Sequence, residues 1–256
     1  VANVLVRAIE AGIEVDYAKS LVRLRGLVPD EAPLQIDAWP WSFRVQTLGG
    51  FGLLKNDAAL ASAGKAQRRP LELLRVLVAL GGEAVSEERI TDAMWPRIEG
   101  DSAHRSFTST LHRLRKLLGE DGALVLREGR LSISRRHVWT DVWALEATVT
   151  EIESQLARGR VPEPAEVERC QTRLFALYRG PFLAREDDAA WLLQPRERLR
   201  ARFARALSEL GQYWETREEL PRARACYEKG IDADPGAEGF YRSLMLLLDR
   251  MGRRAE

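Results

Sequence analysis

SAHRSFTSTLHRLRKLLG, residues 102–119, is the stretch on which the reading of this chain turns. Phe107, Leu111, Leu114 and Leu118 recur at helical spacing and mark one apolar face. Arg105, Ser109, His112 and Lys116 fall on the opposite face, with Thr108 and Arg113 beside them. Arg115 lies nearer the apolar side, which suits a supporting role. Gly119 stands where a C-terminal cap belongs. A helix that buries one side and offers cations and small hydroxyls on the other fits a nucleic-acid groove. By itself it also fits a merely solvated face, so the flanking sequence has to decide.

Upstream, Phe43, Val45 and Thr47 alternate with Arg44 and Gln46, the period of a half-buried strand. Gly49-Gly50 suits a tight turn, Phe51 to Lys55 a second strand, and Ala58 to Ser62 a short third. Pro70 fits the first turn of a helix carrying Leu71, Leu74, Leu77 and Val78, which Gly81-Gly82 would end. Ser86 is placed to cap EERITDAMW, and Trp95-Pro96 to end it. Downstream, LVLREGRLSIS alternates on both sides of Glu128-Gly129, a hairpin signal. The order is sheet, helix, helix, helix, hairpin, with the basic helix third.

Residues 1 to about 26 read as helical, broken at Gly12, with Asp16 able to cap a second helix. Pro29, Pro33 and Pro40 make Val28 to Trp41 an extended linker. From Asp141 onward the pattern is almost all helix, broken at Val161 to Pro164 and at Gly180-Pro181. Leu207, Leu210, Gly211, Trp214, Ala223, Tyr227, Gly230 and Pro235 match the spacing of a tetratricopeptide unit. Tyr241, Leu244 and Leu248 repeat its first-helix pattern one period later.

Charge is distributed unevenly along the 256 residues, although the net charge is only +1. From Arg105 to Arg136 there are eight Lys/Arg against three acids; from Glu146 to Leu193 there are nine acids against six Arg. A local basic patch beside an acidic neighbour suits a focused polyanion site. Cys170 and Cys226 stand far apart without CxxC or Cys/His clustering, so neither a metal site nor a disulfide framework is indicated, and a cytoplasmic location is expected. The longest clean apolar run, around Val76 to Leu80, is too short for a membrane span, and no signal peptide is visible. The chain opens on Val1 rather than Met and stops inside a helical pattern at Glu256, which reads as an excised piece of a longer protein.

No cofactor is expected, and little supports catalysis. His104, His112 and His137 have neither an HExxH nor a triad-like context. Gly64-Lys65 hints at a phosphate loop, but a Walker motif needs Gly where Ala59 stands and Ser or Thr where Ala66 stands. Glu186-Asp187-Asp188 reads as a helix N-terminus. Trp139 and Trp143, flanking Asp141, read as core packing rather than an aromatic ligand box. Lys65, Arg68 and Arg69 suit either phosphate contact or a solvated helix entry.

Residues 43 to 134 resemble the OmpR-type winged helix, with LHRLRKLLG similar to the end of its recognition helix. AQRRPLELLRVLVALGGEAVSEERITDAMW resembles more narrowly the winged helix of the antibiotic regulatory protein (SARP) activators. YRGPFL and the helices after it resemble the bacterial transcriptional activation domain of the same proteins. Residues 1 to 41 are similar to the joint that follows the helical repeats of large MalT-like regulators, which would place both domains at the C-terminal end of a larger protein.

The resemblance implies an α+β winged helix-turn-helix domain at 42–138 and an all-α tetratricopeptide-like activation domain at 139–256, after an N-terminal segment at 1–41. It also implies a sequence-specific activator that binds direct repeats in double-stranded DNA, helps recruit RNA polymerase and can form a homo-oligomer. Carried over by position, Arg105, Thr108, Ser109, His112, Arg113 and Lys116 would face the major groove or its phosphates. Arg127 and Arg130 would be wing contacts, Arg68 a flanking phosphate contact, and the Pro96 to Asp101 loop a polymerase contact. His112 and Ser109 differ from the residues often found in relatives, so base preference does not carry over. A protein-interaction adaptor and a ligand-sensing module without direct DNA reading are compatible with the same fold.

Overall fold

The computed structural model describes residues 1–29, 31–60, 65–98, 100–157, 162–186 and 189–252. The chain divides into two compact units. The first holds Val1–Thr47, Phe51–Trp143 and Glu186–Pro195; the second holds Leu48–Gly50, Ala144–Arg185 and Arg196–Glu256.

In the first unit, α1 (Ala2–Glu10) and α2 (Val15–Arg25) form a helical pair. Asp16 does not cap α2: Glu14, in a left-handed conformation, is the N-cap residue, and Asp16 lies in the first turn. Arg23 of α2 pairs with Asp57 at 2.8 Å, and Arg44 meets the same carboxylate at 3.1 Å. Arg44 also donates to the carbonyls of Asp37 (2.5 Å) and Trp39 (2.8 Å) and lies over the Trp139 ring. One guanidinium thus fastens the stretch at residues 37–39 to the sheet beneath it.

That sheet has the order β3-β2-β1-β7, from β1 (Phe43–Gln46), β2 (Gly52–Lys55), β3 (Ala58–Ala59) and β7 (Val138–Thr140). The β1–β2 hairpin is antiparallel, whereas β7 joins β1 in parallel, Phe43 opposite Val138. The third strand is shorter than its sequence suggests; residues 61–64 lie outside the described part. Phe43 and Val45 point into the core, as the period-2 pattern requires.

Three helices follow: α3 (Lys65–Ala79), α4 (Glu87–Met94) and α5 (Asp101–Leu118). Pro70 sits inside α3 rather than in its first turn, because the helix starts at Lys65. The ring removes one donor from the ladder, which the buried run Leu71, Leu73, Leu74, Val76, Leu77 and Val78 offsets by packing. At the end of α3, Gly82 has φ +75°, and a Cβ there would lie 2.7 Å from Trp143 Cζ2. Ser86 caps α4, its hydroxyl accepting from Arg89 N at 3.4 Å. A second sheet, β4-β6-β5, comes from β4 (Val85–Ser86), β5 (Leu124–Arg127) and β6 (Arg130–Ile133). The β5–β6 pair turns through Glu128 (φ +48°) and Gly129 (φ +69°), the two left-handed residues that a type I′ hairpin needs.

A buried carboxylate secures the end of the first unit. Asp141 is 1% exposed and accepts from Thr47 N (2.6 Å) and Thr47 Oγ1 (2.7 Å), 94 residues away in sequence. Trp139 and Trp143 are both buried in this unit; their indole nitrogens donate to the carbonyls of Leu34 (3.3 Å) and Gly81 (3.2 Å).

The second unit is built from helices. It contains most of α6 (Asp141–Gln155) and α8 (Ala190–Thr216), with α7 (Pro164–Leu177), α9 (Leu220–Ala233) and α10 (Glu238–Arg250). Leu48 bridges to Phe182, and Gly49 N donates to Pro181 O at 3.0 Å. Arg196 donates to the carbonyls of Phe182 and Leu183, holding the Gly180-Pro181 break. Tyr178 stacks on Phe203 with centroids 3.9 Å apart. Two glycines set close helix approaches: the ring of Tyr227 occupies the space beside Gly211, and that of Phe240 the space beside Gly230. Trp214 is fully buried and donates to Gln171 Oε1 at 2.5 Å.

Candidate nucleic-acid interface

Helix α5 is amphipathic in three dimensions. Ala103, Phe107, Thr110, Leu111, Leu114 and Leu118 are buried, two more positions than the leucine-phenylalanine stripe alone marks. Thr110 joins the buried face at no polar cost, because its hydroxyl donates to Ser106 O at 2.7 Å. Arg105, Thr108, Ser109, His112, Arg113 and Lys116 are all exposed. Arg105 donates to Ser102 Oγ at 3.0 Å; the side chains of His112, Arg113 and Lys116 have no partner among the described residues. Arg115 is half-buried and donates to Leu124 O at 3.2 Å, tying the helix to β5.

Both ends of α5 are anchored from elsewhere in the unit. At its N-terminal end, His104 Nδ1 lies 2.6 Å from Glu87 Oε1 at the start of α4. At its C-terminal end, Gly119 takes the left-handed conformation (φ +65°), and Lys55 Nζ from β2 donates to Leu118 O at 2.6 Å. A lysine on the last carbonyls satisfies an orphan acceptor and complements the negative end of the helix. Sequence reasoning does not find Lys55 or Glu87, since no local pattern links them to a helix 17 to 63 residues away.

The hairpin carries the second basic group. Arg127 and Arg130 face each other across the turn, and both are exposed. Arg130 donates to Ala84 O at 3.2 Å, and Ser132 Oγ accepts from Ala84 N at 2.8 Å, so the base of the hairpin is fixed to the loop before α4. Arg127 has no partner among the described residues. Arg68 is exposed near the start of α3, while Arg69 pairs with Glu72 at 2.9 Å. Gly64, Asp187 and Asp188 lie outside the described residues, as does residue 99 of the Pro96 to Asp101 loop. Arg89 and Arg97, not singled out from sequence, are further exposed cations on α4 and the turn after it.

These side chains are suited to holding a polyanion. Exposed guanidinium groups can bind phosphate or a guanine edge through paired hydrogen bonds, and Ser109 and Thr108 can donate or accept. Among the described residues no cluster of three or more His, Cys, Asp or Glu could hold a metal ion, and no helix is long and apolar enough to cross a membrane.

Comparison with known proteins agrees with this architecture. Residues 140–256 match the family of bacterial transcriptional activator domains. Regulatory protein AfsR of Streptomyces griseus is 26% identical over 236 residues, which cover 90% of this chain and 23% of AfsR. The chain therefore spans about a quarter of that relative. The structure of Mycobacterium tuberculosis EmbR in complex with a low affinity phosphopeptide superposes with a TM-score of 0.63 at 19% identity, over 83% of this chain and 56% of EmbR. That similarity extends the shared fold across the winged helix as well as the helical unit. A winged helix precedes residues 140–256, which match the bacterial transcriptional activator domain, and this order is similar to that of SARP-type regulators.

Proposed function

We propose that the chain is a sequence-specific DNA-binding activator of transcription. Residues 42–138 read double-stranded DNA, and residues 139–256 couple binding to RNA polymerase and to a second protomer. The observation that carries this reading is the outer face of α5, where exposed Arg105, Ser109, His112, Arg113 and Lys116 back onto a wholly buried apolar face. In this reading α5 enters the major groove. Arg113 and Arg105 contact guanine or phosphate, Thr108, Ser109 and His112 read base edges, and Lys116 holds a phosphate. Arg127 and Arg130 bring the hairpin onto the flanking backbone as a wing, and Arg68 adds a phosphate contact. The close α8–α9 packing at Gly211 supports a tetratricopeptide-type unit in the activation half. By analogy with the relatives, the sites are direct repeats at promoters, the Pro96 to Asp101 loop meets polymerase, and the protein works in the cytoplasm.

The test begins by selecting bound sites from random duplex DNA and measuring affinity by fluorescence anisotropy. Arg113→Ala weakens the selected site by about 1–3 kcal/mol and relaxes preference at one base pair. Lys116→Ala weakens all sequences alike and lowers the salt slope by about one. Unchanged affinity in both variants, or a wild-type affinity indifferent to salt, would falsify the DNA-reading assignment.

A further inference from the structure

Helix α10 buries Phe240, Leu247 and Leu248 within the second unit, and the Phe240 ring lies beside Gly230. Its other side carries Tyr241, Met245 and Leu246, which are 42%, 70% and 63% exposed. One exposed apolar side chain on a surface is ordinary, but three within six residues of one helix form a contiguous patch of the kind that marks an interaction surface.

The residues of the patch bear on what covers it. Met245 stands 34 residues after Gly211, one tetratricopeptide period. At Gly211 the missing side chain lets the Tyr227 ring of α9 approach α8 closely. The methionine fills the equivalent place on α10, so a further helix could not repeat that approach. The charges suit a second copy of α10 instead. Arg242 and Asp249 are exposed, and neither side chain has a partner among the described residues, whereas Arg250 is engaged by Glu215 at 2.6 Å. Arg242 and Asp249 lie seven residues apart, two helical turns, and so share one face. They are also equidistant from the midpoint between Met245 and Leu246.

We infer that α10 is a self-association surface, which pairs antiparallel with α10 of a second copy about a two-fold axis. Met245 of both copies meets at the axis, with Tyr241 and Leu246 on either side of it. Arg242 of each copy faces Asp249 of the other, and because the contact is isologous the charge pair is made twice. Sliding the helices by about one turn would set Glu238 against Asp249 and Arg242 against Met245. That register repels at one place and covers a guanidinium with an apolar side chain at the other, which selects against it. The inference supplies a surface for the second protomer of the reading above and rests on that part of it alone; the pairing requires no DNA.

The experiment is sedimentation equilibrium of the full chain without DNA, from about 1 to about 200 µM, with far-UV circular dichroism confirming the fold of each variant. The parent chain shows a monomer–dimer equilibrium with a dissociation constant on the order of 10 µM, as a small interface gives. Met245→Glu sets two carboxylates at the axis and weakens the dimer about tenfold or more. Arg242→Asp and Asp249→Arg each place like charges opposite one another twice and weaken it about fivefold or more, while the double variant Arg242→Asp/Asp249→Arg returns to within about threefold of the parent. All three positions are at the surface, so the variants keep the fold. A parent chain that stays monomeric throughout overturns the inference, leaves the face to a different partner, and removes the second protomer from the reading above. A parent dimer that Met245→Glu and the single charge reversals leave unchanged overturns the surface but not that reading. A double variant as weak as the single ones overturns the antiparallel pairing.

Discussion

Replacing Gly211 by alanine sets two opposed effects against each other in helix α8. Taken as a helix residue alone, alanine is better than glycine by about 0.8–1.0 kcal/mol. The new Cβ, however, would lie 2.7 Å from Tyr227 Cζ and 2.9 Å from its Oη, and nearer still to Cε1. Carbon atoms rest at about 3.5–4.0 Å, so the ring has to retreat by roughly 1 Å. It has little room to do so. Tyr227 is 1% exposed, faces Phe240 at 6.4 Å, and its hydroxyl donates to Glu215 Oε1 at 2.5 Å. Overpacking costs about 1–3 kcal/mol, and weakening a hydrogen bond to a carboxylate about 1.5–3 kcal/mol. The net expectation for Gly211→Ala is a loss of about 2–4 kcal/mol. Urea unfolding followed by circular dichroism measures it, and the Tyr227→Ala background supplies the control. With the ring gone, Gly211→Ala becomes neutral or stabilising by up to about 1 kcal/mol. A single Gly211→Ala variant as stable as the parent would refute the close approach, and so would an equal loss in both backgrounds.

Other expectations follow from the buried polar and thiol groups. Asp141→Ala strands the amide and hydroxyl of Thr47 and lowers stability by about 3–5 kcal/mol, whereas Thr47→Val, which loses only the hydroxyl bond, costs about half of that or less. Tryptophan-monitored urea melts compare the two variants, and equal losses would contradict the account. Burial pushes the thiols of Cys170 and Cys226 up from 9.0 to about 12, with Glu151 adding to the effect at Cys170. Folding thus favours the protonated thiols; their contribution is fully present below about pH 9 and is lost as pH rises from there toward 12. Burial raises Tyr178 and Tyr227 as well, adding the same sign of dependence from pH 10 upward. The melting temperature should fall steadily above about pH 9, and iodoacetamide should leave both thiols unmodified in the native protein at pH 8. Rapid native-state labelling would count against their burial.

The parts legible in the sequence were those governed by short-range rules. The α5 stripe follows the 3.6-residue period, Ser86 occupies the position where its hydroxyl meets a free amide, and Glu128-Gly129 supplies the positive φ values of the hairpin. The features that escaped depend on chain segments far apart. Val138–Thr140 is too short to announce itself as a strand and becomes one only because β1 offers an open edge. Lys55 and Glu87 reach α5 from other elements. Asp141 carries no local signal that its carboxylate closes on Thr47. Pro70 misled because proline at a helix start is a statistical preference, while the packing of the leucine-rich face decides how far α3 extends before it. The outer face of α5 was legible as exposed and basic; the anchors that set its angle were not.

The parallel pairing of β1 with β7 bears on how the chain is made. Phe43 meets Val138, so the first strand leaves the ribosome 95 residues ahead of the partner that covers its outer edge. At about 5–20 residues per second, that edge waits on the order of 5–20 s. Until β7 arrives, Thr47 lacks its carboxylate as well, since Asp141 follows directly behind the strand. An open strand edge is a template for pairing with another chain. The helix pair at residues 2–25 is synthesised before that interval begins, and its Arg23 reaches Asp57 beside the β1–β2 hairpin. The amino-terminal segment can therefore shelter the nascent sheet while the strand that completes it is still being translated.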